Sequence, residues 1–104
     1  MTWQLEYHPR VVHDLHRIEV FLTEYDGQRT ARCKLHEIAD TLEKILQLPF
    51  RGSRHDDVAP GLRITVGGKK AVIAYRLREE ARIIRIISVT YGGADWQKIA
   101  RRRR

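Results

Sequence analysis

Apolar residues recur along the chain in two rhythms. At its start Trp3, Leu5 and Tyr7 alternate with Gln4 and Glu6, which predicts a short strand. Pro9 has no N–H to give a ladder, so the strand stops before it, and its fixed φ suits the first turn of a helix. Val11, Leu15, Ile18, Leu22 and Tyr25 then fall at i, i+4, i+7, i+11 and i+14, one face of a helix running to about Tyr25. "DGQ" at 26–28 interrupts the pattern. From about Gln28 to Leu46 the spacing returns in Ala31, Leu35, Ile38, Leu42 and Ile45, with Asp26 or Thr30 able to cap the second helix. Two helices across so short a break predict an antiparallel hairpin, ended by "LPFRGS" at 48–53.

Beyond that point the rhythm is that of strands. "GLRITV" alternates Leu62, Ile64 and Val66 with Arg63 and Thr65, and Gly67-Gly68 marks a turn. "KKAVIAYRL" follows, then "REEA" as a turn, then "RIIRIISVTY". The last run has Ile83, Ile87 and Val89 on one face and Ile84 and Ile86 on the other, the pattern of a central strand covered by a helix. The predicted order is β-α-α-β-β-β. That is an α+β fold in which an antiparallel sheet packs against a helical hairpin, in a single domain over 1–104. Residues 97–104 read as a basic tail without fixed structure.

Composition narrows the class of function. Twenty Lys and Arg against thirteen Asp and Glu give a net charge of +7, so the chain attracts polyanions or an acidic protein segment. Without the terminal "RRRR" the excess falls to +3. No apolar run approaches the ~20 residues of a membrane span, and the first residues lack the pattern of a signal peptide. Cys33, the single cysteine, cannot close an internal disulfide, which fits a reducing cytoplasm.

Several constellations invite a chemical reading. His13 and His16, and Cys33 and His36, stand at i, i+3 on the two helices as four ligands of the kinds zinc takes. At ~100° per residue all four lie far from the apolar faces, so a hairpin that buries those faces turns them outward. No metal site is expected. "RHDDV" at 54–58 reads as a solvated turn, with Asp56 or Asp57 bonding nearby backbone. Ser53 and Ser88 lack a nucleophile motif, and neither Gly67-Gly68 nor Gly92-Gly93 has phosphate-loop spacing. The remaining candidates are basic side chains on the strands, Arg63, Arg76, Arg78, Arg82 and Arg85, with Lys69 and Lys70 at a turn. A face carrying several arginines can bind phosphate or stabilise developing charge.

This order of elements, with "GLR" at 61–63, "AYRL" at 74–77 and "RIISVTYGGADW" at 85–96, resembles the RelE/ParE toxin superfamily over nearly the whole chain. It is most similar to the ParE, or plasmid-stabilisation, branch. The resemblance implies a bacterial, cytoplasmic toxin of a type II toxin-antitoxin pair, held by an acidic antitoxin with a disordered segment that folds on binding. It implies no cofactor. ParE-like members inhibit DNA gyrase by binding it, whereas RelE-like members cleave mRNA on translating ribosomes. At positions where RelE-like nucleases carry arginines this chain has Val72 and Gly92, and Lys98 stands where they carry a tyrosine. Where the ParE pattern has His and Arg, this chain has Tyr91 and Ala94, while Asp95 and Trp96 fit. The expectation is therefore a gyrase-binding toxin rather than an enzyme, with Arg63, Arg76, Tyr91, Asp95 and Trp96 as its target and antitoxin surface. The alternatives are a metal-independent endoribonuclease relying on Arg63, Arg76 or the arginine-rich tail, and a non-toxic module that only binds antitoxin.

Overall fold

The computed structural model describes residues 2–103. Strand β1 (Gln4–Tyr7) leads into helix α1 (Val11–Gln47) and a 3-10 turn (Pro49–Arg51). Strands β2 (Ser53–Arg54), β3 (Arg63–Gly67), β4 (Ala71–Arg78) and β5 (Ile83–Tyr91) follow, and helix α2 (Trp96–Arg102) comes last. The five strands form one sheet in the order β1-β5-β4-β3-β2. The meander β3 to β5 is antiparallel, as expected; β2, in a stretch read from the sequence as loop, adds to β3 antiparallel, and β1 joins parallel to β5. The sheet is therefore mixed. β1 can reach β5 because the long α1 connection carries the chain across one face of the sheet and back.

α1 is two helical arms meeting at Gly27, whose φ of 89° and ψ of 167° are non-helical. A straight helix of this length would run ~55 Å, yet the molecule's longest extent is 42 Å. The helix must therefore bend, and residues of both arms join one apolar cluster on the sheet, as the two apolar stripes predicted. Gly27 occupies a region of backbone space that is almost closed to residues with a Cβ. Nothing lies within 4 Å of where that Cβ would stand, so a substitution there meets strain and no clash. Gly27→Ala is expected to cost ~1–3 kcal/mol, read as a lower urea midpoint with unchanged slope.

Each face of the sheet carries its own apolar cluster. The larger lies under α1 and joins Ile18, Leu22, Ile38 and Ile45 to Ile73, Tyr75, Ile84, Ile86 and Val89. The smaller lies under α2 and joins Leu62, Ile64, Ala74 and Ile87 to Ala100, with Trp96 packed against it. The predicted faces of β5 need correction. Val89 shares the α1 side with Ile84 and Ile86, while Ile87 faces α2. The cause is a β-bulge: Tyr75 pairs with Ile86 and Ala74 with Ser88, which leaves Ile87 as the extra residue and switches the alternation after it. Tyr25, placed on the apolar stripe by its spacing, is instead exposed and rests against Phe21 with ring centroids 4.6 Å apart.

The expected tail over 97–104 is also corrected. Residues 96–102 are helical, Ala100 is buried, and Arg103 reaches a carboxylate on α1. Tertiary anchorage orders a segment that composition alone marked as unstructured. Arg104 lies outside the described residues. Among the described residues no helix is long and apolar enough to cross a membrane.

Candidate functional site

The C-terminal end of β5 is the centre of the site. After Tyr91 the chain turns through Gly92 and Gly93 and starts α2 at Trp96. Asp95 is the N-cap of that helix, its Oδ1 accepting from the Lys98 N–H at 3.0 Å. The turn between β3 and β4 brings Lys69 and Lys70 alongside, because Ala71 pairs with Tyr91 and the Gly92 N–H donates to the Lys70 carbonyl. These segments enclose a cleft of about 770 Å³ whose walls include Lys69, Lys70, Val72, Tyr91, Asp95 and Trp96.

Tyr91, Asp95 and Trp96, predicted as functional, are thus brought together. Trp96 also closes the smaller cluster and meets His55 edge-on at 5.2 Å. Tyr91 is half-buried, and its ring lies 6.5 Å from that of Phe21. Val72 and Gly92, the positions compared with nuclease arginines, also line the cleft. The lining cations are Lys69 and Lys70. Asp95 is committed to capping α2.

Arg63 and Arg76 are not part of this arrangement. Arg63 pairs with Tyr75 and so faces α1, whereas Arg76, the next residue along β4, faces the other way. Arg63 Nη1 donates to the carbonyls of Phe50 at 3.1 Å and Gly52 at 3.0 Å, and its guanidinium lies 5.3 Å from the Phe50 ring centroid. It therefore fastens the segment after α1 to the sheet. Arg76 stands opposite Arg85, which is ion-paired with Glu6 on β1. Among the described residues the buried Nε of Arg76 finds no hydrogen-bond partner.

The other candidates are simpler. His13, His16, Cys33 and His36 are all exposed, as helix geometry predicted. In "RHDDV", Asp56 accepts from the Gly61 N–H at 2.8 Å and pairs with Arg54 at 3.1 Å, closing the loop before β3. The Gly61 bond first, and Arg54 next, hold its carboxyl below the usual range.

One arrangement escaped the sequence. Asp14, in the first turn of α1, is buried. Its Oδ2 accepts from the Val89 N–H at 3.1 Å and from Arg103 Nη1 at 2.6 Å, and its Oδ1 accepts from Arg103 Nη2 at 2.9 Å. Arg103 also donates to the Ile87 carbonyl at 3.1 Å. β1 pairs only as far as Ile86, to whose carbonyl the His8 N–H donates. The ion pair takes over from β1 on that edge of β5, satisfying the next backbone groups. Asp14 stands three residues after Val11 and four before Ile18, on the apolar stripe. A carboxylate at that spacing was the available signal.

Beyond Val89 the same edge borders a groove of about 360 Å³ walled by Ile18, Phe21, Tyr91, Ala94 and Ile99. It separates the first arm of α1 from the end of the sheet.

The family model described as the ParE toxin of the type II toxin-antitoxin system, parDE, matches residues 5–96. No curated protein matches the sequence. A solved chromosomal ParDE toxin-antitoxin system from P. aeruginosa is similar in structure, with a TM-score of 0.74 and 16% identity over 86% of this chain and 96% of that one. The RelBE2 toxin-antitoxin complex from Mycobacterium tuberculosis gives a TM-score of 0.59 at 17% identity, over 88% and 100% of the two chains. A RelE toxin mutant from E. coli in the free state gives 0.62 at 14% identity, over 94% and 92%.

Proposed function

Because this chain belongs to the ParE toxin family of type II toxin-antitoxin systems, we propose that it acts by binding a protein target, DNA gyrase, through the cleft at the end of β5. One observation carries this reading. The cleft walls are Val72, Tyr91, Trp96 and glycines, the cations are two lysines at its mouth, and the carboxylate is spent on a helix cap. Such walls offer aromatic anchors and apolar area to a partner. General acid-base catalysis needs titratable groups converging on a reacting atom. Arg63 and Arg76, which an endoribonuclease would require here, lie on opposite faces of the sheet.

The cognate antitoxin is the second partner. Its amphipathic segment would lie in the groove between the first arm of α1 and the edge of β5, where Ile18, Phe21 and Ile99 supply apolar walls. The +7 charge of the toxin favours an acidic antitoxin and speeds their encounter.

The test is DNA supercoiling by purified gyrase with increasing amounts of the protein, with and without antitoxin. Inhibition that antitoxin reverses is expected. Tyr91→Ala should raise the half-inhibiting concentration about tenfold, equivalent to ~1.4 kcal/mol, while the circular dichroism spectrum stays that of the folded protein. A folded protein that arrests growth in cells but leaves gyrase untouched sinks the reading. Cut sites in mRNA on translating ribosomes would then be mapped.

A further inference from the structure

A second cleft, of about 620 Å³, opens between the start of α1 and the end of α2, away from the turn at Gly92 and Gly93. His8, Arg10, His13, Arg17, Arg102 and Arg103 line it, together with Asp14 and Ile99. The two helices build it by register. Arg10, His13 and Arg17 are spaced i, i+3 and i+7, so at ~100° per residue they share one side of the helix start. α2 brings Arg102 and Arg103 against that side. Four arginines against one carboxylate leave +3 even with both histidines neutral.

The single carboxylate does not neutralise the row. Asp14 is occupied by Arg103 and by the Val89 N–H. Among the described residues no carboxylate pairs with Arg10, Arg17 or Arg102. Burial first, then the charges of Arg103 and Arg85, hold the pKa of His8 below the usual value.

The chemistry of the occupant follows from the walls. Apart from Ile99 they are polar, so a ligand gains there by charge rather than by apolar burial. A peptide that orders on binding needs apolar area to offset the entropy it loses, and that area lies in the groove beside Phe21 instead. Arginine forks match phosphate oxygens in bidentate pairs. The volume exceeds what one inorganic phosphate fills, and Lys98 and Arg101 continue the positive surface along α2.

We propose that this cleft binds nucleic acid through its phosphate backbone, without reading bases. This goes beyond the gyrase reading and does not depend on it. DNA and RNA present the same phosphodiester chemistry, so the test includes both.

The experiment is fluorescence anisotropy with labelled RNA, single-stranded DNA and duplex DNA of one mixed sequence, over a series of salt concentrations. Three proteins are compared: the natural chain, Arg10→Glu/Arg17→Glu, and Arg29→Glu/Arg32→Glu. The last pair is exposed at the far end of the hairpin and changes net charge by the same amount. The cleft variant should bind about tenfold or more weakly, and its slope of log affinity against log salt should flatten by about two. The distal variant should lose less than about threefold, and all three should keep the same thermal midpoint. Whichever probe binds best then names the source of the phosphates. Equal losses in both variants would reduce the effect to net charge and overturn the proposal. So would the absence of binding by the natural chain, or displacement of the oligonucleotide by polyglutamate at lower concentration than by unlabelled oligonucleotide.

Discussion

Asp14→Ala and Arg103→Ala should each lower the free energy of unfolding by ~3–5 kcal/mol, the range for removing one partner of a buried ion pair. Both side chains are well shielded, at 5% and 14% exposure. Without Arg103, the Asp14 carboxylate stays in the interior with only the Val89 N–H to satisfy it. Without Asp14, the guanidinium keeps only the Ile87 carbonyl, and the Val89 N–H loses its acceptor. An unfulfilled buried group of this kind costs more than the net worth of the pair. The double variant should therefore be less destabilised than the sum of the two single ones. Urea unfolding of the four proteins measures this as a double-mutant cycle. Single variants within ~0.5 kcal/mol of the natural chain, as surface positions behave, would show that the pair is not holding α2 against α1.

Tyr75→Ala should cost a similar ~3–5 kcal/mol, the range for truncating a large aromatic core residue. Tyr75 is fully buried on β4. Its hydroxyl accepts from the Gly52 N–H at 2.9 Å and donates to the Pro49 carbonyl at 2.9 Å. The ring fills the core, and the oxygen ties down the turn that follows α1. Tyr75→Phe separates these roles. It keeps the ring, leaves two buried backbone groups unpaired, and should cost ~1–3 kcal/mol. Gly52 is bound to the same arrangement, since a Cβ there would stand 2.5 Å from the Tyr75 hydroxyl oxygen. Denaturation of Tyr75→Ala and Tyr75→Phe by urea gives both numbers. Equal losses for the two would mean that the hydroxyl, not the ring, carries the stability. Arg63 grips the same segment from its outer side, through the carbonyls of Phe50 and Gly52.

These two sites show how differently the parts of the chain could be read in advance. Tyr75 and Arg63 are both visible in the strand pattern. Their joint hold on residues 49–52 is not, because it depends on where the chain leaves α1. Tyr91, Asp95 and Trp96 were found together because they are near neighbours in sequence at the end of one strand. Lys69 and Lys70 join them only through the register of β4 on β5. Arg63 and Arg76 looked like one basic face, and strand pairing put them on opposite sides.

The sequence by itself determined the main elements and their character: β1, the two arms of α1, and β3 to β5. Apolar spacing marked both arms of α1, alternation marked the strands, and the glycine at 27 marked the bend, because each is a local consequence of helical or extended backbone. The order of these elements carried the α+β architecture and the family. Tertiary structure alone decided the rest. It set β1 parallel beside β5, placed a bulge at Ile87 that no periodicity announces, and ordered Trp96–Arg102 as a helix. Each of these rests on contacts between residues far apart in the chain, Asp14 with Arg103 above all. Such contacts have no local spacing to betray them, because their energy exists only once the two segments are already packed.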